Sequence, residues 1–183
     1  LSADGDATAR LHWSAIATLY HFGKDEQRTP SVAPPAAFTG GAGTIIDLSG
    51  TGWRTLDVKA VWTPNPAHVV TLGLHDDRYV LGSDRYNTAD WISGGRGALS
   101  ALSRGKTQTD AAFLQDVIGL CPDLHLTLGV RLEHWRAFDG FNFSLSPALA
   151  VSQATLSADR ASPKAVLAWA AAPSATLSLP EAK

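Results

Sequence analysis

Four stretches of the sequence hold residue types that do chemistry when suitably placed. His75-Asp76-Asp77 combines ligand types for a metal ion with the members of a proton relay. In an extended segment neighbouring side chains point to opposite faces, so only His75 and Asp77 would share one. No complementary ligand set stands at a defined spacing, and the expectation is a polar wall with no metal. Gly40-Gly41-Ala42-Gly43 and Gly94-Gly95-Arg96-Gly97 lack the Lys-Ser/Thr of a phosphate loop. Ser162-Pro163-Lys164 lies in no SxxK or GxSxG context. No catalytic constellation results, and no cofactor is expected. What remains is suited to binding: Arg78, Tyr79, Arg85, Tyr86, Trp91, Trp135, Arg136 and Phe138 in expected loops, whose mix fits an anionic, partly aromatic chelate. Arg131 and Glu133 join them from the polar face of a strand, where pairing across strands is their expected task and ligand contact a second one.

The elements that must position these residues show a period of two. In GWRTLDVKAVWT, Leu56, Val58, Ala60 and Trp62 take one face and Thr55, Asp57 and Lys59 the other. A turn at TPNPAH follows, because each proline fixes its φ and neither can serve a ladder. HVVTLGLHDDRYVL completes a hairpin. LHLTLGVRLEHWRA sets Leu124, Leu126, Leu128, Val130 and Leu132 against His125, Thr127, Gly129, Arg131 and Glu133, and ARLHWSAIATLYHF alternates in the same way. Long loops are expected over Pro30 to Gly43, Gly82 to Gly105 and Phe138 to Ala161. SPKAVLAWA, a turn at AAPSA and the start of TLSL close the pattern. DAAFLQDVIG and SPKAVLAWAAAP also satisfy a helical reading, with Asp110 and Ser162 as N-caps.

Composition narrows the classes. The 183 residues suffice for one domain or two small ones. A formal charge of -2 and scattered Lys and Arg leave no footprint for nucleic acid. Cys121 is the single cysteine, so no internal disulfide forms. No run of about 18 apolar residues exists for a transmembrane helix. The mean hydropathy of -0.01 is nevertheless what alternating barrel strands produce. Short turns at one end and long loops at the other are the asymmetry of bacterial outer-membrane barrels. Trp13, Trp53, Trp62, Trp91, Trp135 and Trp169 fall mostly near strand ends or turns, where interfacial girdles sit.

The succession KTQTDAAFLQDVIGL, CPDLHLTLGVRLEHW and SPKAVLAWAAAPSATLSL resembles the barrel of TonB-dependent receptors, clearly from about Gly52 onward. The resemblance implies an all-β, antiparallel transmembrane barrel of about 22 strands around an N-terminal plug, of which this chain supplies about seven or eight. It implies residence in the bacterial outer membrane and contact with its lipid. It also implies TonB-dependent uptake of a ferric siderophore, vitamin B12 or similar scarce solute, with TonB acting through the plug, and no enzymatic activity. The missing plug and the non-aromatic end at Pro180-Glu181-Ala182-Lys183 point to an internal fragment. Two other architectures fit the length: a complete outer-membrane barrel of about eight strands, and a soluble β-sandwich binding module.

Overall fold

In the computed structural model the alternating segments become one antiparallel sheet of eleven strands. The structure describes the backbone of residues 1–172 and 175–181, and side chains of residues 1–170. The strands are β1 (Ser2–Thr8), β2 (Leu11–His21), β3 (Glu26–Pro30), β4 (Gly43–Asp47), β5 (Gly52–Asn65) and β6 (His68–Thr88), then β7 (Leu99–Cys121), β8 (Leu124–Leu145), β9 (Ala148–Ser152), β10 (Leu156–Ala172) and β11 (Ala175–Glu181). Eight of them run side by side in the order β1-β2-β5-β6-β7-β8-β10-β11. β3 and β4 form a hairpin on the upper end of β6, and β9 pairs with the upper end of β8. One turn of 3-10 helix, Ala36–Thr39, lies between β3 and β4. The expected turn at AAPSA lies partly outside the described residues.

Cross-strand partners share a face, so the register assigns every side chain to one side. Trp13, Ala60, Leu72, Leu114, Val130 and Pro163 stand in one row. Ala15, Val58, Leu74, Ala112, Leu132 and Ala161 form another on the same side. Between them, on the opposite side, run Ser14, Lys59, Gly73, Phe113, Arg131 and Ser162. On the central strands the apolar side is the exposed one: Leu74 is 62% and Leu132 57% accessible, whereas Ala111 on the polar side is 8%. The only buried apolar residues among those described are Ala37, Ile45 and Ala111. A water-soluble sandwich would bury its leucines between two sheets, and there is one sheet here. The apolar side is therefore built for lipid, and the polar side is the inner wall.

The apolar band has the right height. On β8 it runs from Leu124 to Leu132, about 27 Å along the strand and about 20 Å in depth at a tilt of about 40°, close to the apolar band of known barrels. Trp13, Trp62 and Trp169 stand on this side at the end with the short turns, whereas Trp53 and Trp135 face inward and Trp91 lies in a connection. Among the described residues no helix is long and apolar enough to cross a membrane.

The expected loops are corrected in one respect. β6, β7 and β8 have 21, 23 and 22 residues, twice what a crossing needs, so most of Gly82 to Gly105 and much of Phe138 to Ala161 is strand. Beyond the membrane both faces of the sheet meet water, and the apolar alternation that announces a strand is lost. DAAFLQDVIG and SPKAVLAWAAAP are strand as well, because flanking ladders on both sides outweigh local helix propensity. A closed eight-stranded barrel would pair β1 with β11, but among the described residues these are the two edges of the sheet.

The assignment of faces is testable by single substitutions. Leu128→Arg, at mid-height of the apolar side, should destabilise the folded state in lipid by about 2–4 kcal/mol, whereas Thr127→Arg on the inner wall should change its stability by less than about 1 kcal/mol. Refolding titrations in lipid vesicles measure both.

Candidate functional site

At membrane depth the inner wall is charged; some of its charges are bonded, whereas Lys59, Asp77 and Arg160 face inward with no partner among the described residues. The His75 Nδ1–H donates to Asp57 Oδ1 across the β5–β6 seam at 2.7 Å. Arg131 Nε donates to Glu133 Oε2 at 3.0 Å, a pair along one strand rather than across two. Lys164 Nζ donates to Gln115 Oε1 at 3.0 Å. Phe113 lies over Gly73, where an added Cβ would collide with the ring, so a residue without a side chain lets this aromatic lie flat on the wall. Phe113, Gln115, Arg131, Ser162 and Lys164 border a shallow depression of about 310 Å³. Trp135 stands in the inward row of Thr55, Asp77 and Thr109.

Nearer the rim the inner wall changes character. Tyr20 stacks on Trp53 with ring centroids 4.3 Å apart, and Tyr79 is the next residue of the same row. Above this shelf Arg85 stands with Ser83, Ser103, Asn142 and Ser144 around a depression of about 340 Å³. Asn142 and Ser144 reach this face through a break in register opposite Arg104 and Lys106, where Asp139 adopts φ 54°. A strict period of two, counted up from LTLGVR, would put both on the outer side. Asp139-Gly140 is the turn-like pair that could have flagged the bulge. The expected site residues Tyr79, Arg85, Arg131, Glu133 and Trp135 thus share the inner wall at different heights. Tyr20, Trp53, Ser83, Ser103, Asn142 and Ser144 escaped the sequence reading.

The other expected residues lie elsewhere. Arg78, Arg136 and Phe138 belong to β6 and β8, not to loops, and stand together on the outer side. Tyr86 lies under the Arg96 guanidinium, 5.4 Å from carbon to ring centroid. Trp91 fastens a connection: its indole N–H donates to the Ala37 carbonyl at 3.0 Å.

That connection, residues 89–98, is tied to the β3–β4 hairpin by charge. Arg96 pairs with Glu26 and, at 2.6 Å, with Asp47, while Arg28 donates to the Gly94 carbonyl at 2.8 Å. The Asp90 carboxylate accepts from the Ser93 hydroxyl at 2.6 Å and from the backbone N–H groups of Gly41, Ile92 and Ser93. Gly40, at φ 98°, leaves space for that carboxylate, which an added Cβ would strike. The hydrogen bond from Arg96 holds the Glu26 carboxyl below its ordinary range, and Ser49 and then Arg96 do the same for Asp47. Ser93 lowers Asp90, and Glu26 raises Arg96.

A one-layered sheet with a lipid-facing apolar band, a polar inner wall, short turns at one end and long strands at the other defines the wall of an outer-membrane β-barrel. Residues 1–179 match the family model described as TonB dependent receptor-like, beta-barrel, and the chain belongs to this family of bacterial outer-membrane receptors, which transport solutes rather than catalyse reactions. A search of curated proteins gives no match.

The rim clamp has a defined response to acid. Glu26, Asp47 and Asp90 are lowered in the folded chain, so their stabilisation is complete above the ordinary carboxylate range, near 4.5 for Glu26, and is lost as pH falls through the lowered values. Hydrogen exchange of residues 89–98, corrected for intrinsic rates, should accelerate below about pH 4.5 while the β7–β8 ladder stays protected. Arg96→Ala should produce the same acceleration at neutral pH.

Proposed function

We propose that this chain forms part of the wall and extracellular rim of a TonB-dependent importer of a ferric siderophore or a similar scarce solute. The observation that carries the reading is Arg85. Its guanidinium stands on the inner wall at the outer rim, with no carboxylate partner among the described residues, amid hydroxyl and amide groups and above the Tyr20–Trp53–Tyr79 shelf. An unpaired guanidinium with neutral hydrogen-bonding neighbours attracts an anion without neutralising itself first, and stacked aromatic rings add affinity for a flat chelate. The two unpaired edges, β1 and β11, call for further strands to close the barrel in lipid, with a plug inside it through which TonB acts.

Uptake assays test this reading. Cells producing the protein should accumulate iron delivered as a tricatecholate or trihydroxamate chelate, or else labelled cobalamin, only when TonB is present. Arg85→Ala should cut that uptake by about tenfold at limiting solute, and Arg85→Lys by less. Accumulation of none of the three, or accumulation independent of TonB, would overturn the proposal.

A further inference from the structure

The strands of the rim sort their charges by side. Glu26, Arg28, Asp47, Asp84 and Arg104 all fall on the outer side, where Arg96 joins Glu26 to Asp47 and Arg104 donates to Asp84 at 2.8 Å. Asp139, at the bulge of β8, is taken by Lys106 of the outer side at 2.7 Å. Above the aromatic shelf the inner side of these strands carries one charge among the described residues, the exposed Arg85. Its surroundings are neutral and polar: Gln27 and Ser144 in its own row, Asn87 above it, and Ser83, Ser103 and Asn142 below. The next inward carboxylate on β6 is Asp77, about 26 Å down the strand, or about three screening lengths at physiological salt.

The shelf beneath is uncharged as well. Tyr20 and Trp53 lie stacked and are 44% and 39% exposed, and Phe22 meets Tyr20 edge-on at 5.2 Å. Arg54 and Arg78, next in the chain to Trp53 and Tyr79, point outward. The open face of an aromatic ring is electron-rich, so it accepts C–H groups and cations and disfavours an anionic ring. A site of this composition offers one anion a partner and offers a second or third none. Resting on the importer reading, we propose that the rim selects its chelate by charge, with Arg85 setting the limit: a neutral ferric core bearing a single carboxylate is taken, and a trianionic core is refused. Three hydroxamates neutralise ferric iron, whereas three catecholates leave three negative charges on the complex. The carboxylate pairs with Arg85 in a bidentate contact, the neutral core meets the hydroxyl and amide groups, and its aliphatic arms lie on the shelf.

The test uses the full receptor extracted from outer membranes in a neutral detergent. Binding of labelled ferric complexes is measured by equilibrium dialysis, which needs no TonB. The probes are desferrioxamine B capped on its amine with succinate, which leaves a carboxylate, the same trihydroxamate capped with acetate, which leaves none, and a tricatecholate. The succinylated complex should bind about tenfold more tightly than the acetylated one, and the tricatecholate more weakly than either. Arg85→Ala should abolish that preference while leaving the acetylated complex bound as before, and Arg85→Lys should keep part of it. Ser144→Lys, which adds a second cation in the same row, should raise affinity for the tricatecholate severalfold, so the charge rule is also read in a variant that gains binding. Tightest binding of the tricatecholate, or an unchanged preference in Arg85→Ala, would overturn this inference and leave the importer reading standing. Binding of none of the probes would overturn it too, and the importer reading would then stand or fall by the uptake assays.

Discussion

Hydrocarbon offers the peptide group nothing to bond with, and the whole arrangement answers that constraint. Every N–H and C=O at membrane depth must find its partner on a neighbouring strand, which is why β2, β5, β6, β7, β8 and β10 keep antiparallel register across the apolar band and break it only near the turns and the rim. Once the ladder is imposed, side chains alternate without choice, and the two sides must suit different solvents. Leu72, Leu114 and Val130 on one side and Lys59, Phe113 and Arg131 on the other are two readings of the same strands. Little apolar surface is buried between residues, because lipid takes the place of a core.

Under such a regime polar side chains serve as stitches between strands. Four of the six histidines donate through Nδ1 to an aspartate on an adjacent strand: His12 to Asp6 at 2.9 Å, and His68 to Asp116, His75 to Asp57 and His134 to Asp159 at 2.7 Å each. These pairs fall on four different seams, β1–β2, β6–β7, β5–β6 and β8–β10. His68–Asp116 stands on the lipid side, but at the turn, where the interface begins. The same economy governs the rim, where Arg96 joins a connection to a hairpin through two carboxylates instead of through packed apolar residues.

The membrane-crossing half was legible because lipid on one side and water on the other write a period of two into Leu124 to Glu133 and Gly52 to Thr63. The upper half was not. Ser83 to Thr88 and Leu99 to Gly105 are strand between two aqueous spaces, so their composition matches that of loops. β3, β4 and β9, at five residues each, are too short to show a period. Arg131 and Glu133 were legible as a polar face, and the cost of arginine in lipid makes that face the inward one. Arg78 and Arg136 were misplaced among loops, since above the apolar band that cost vanishes and charge no longer tells inside from outside. Asn142 and Ser144 depend on a bulge, one irregular step that inverts every later assignment on the strand.

The length of β6, β7 and β8 has a mechanical side. Each is an uninterrupted rod from the short turns to the rim, bonded to its neighbours at almost every step. A pull directed along these rods loads all the bonds of a seam together, in shear, whereas a pull across them would open a seam one bond at a time. The wall is thus stiffest along its tilted strands, about 40° from the barrel axis, and yields most readily across them.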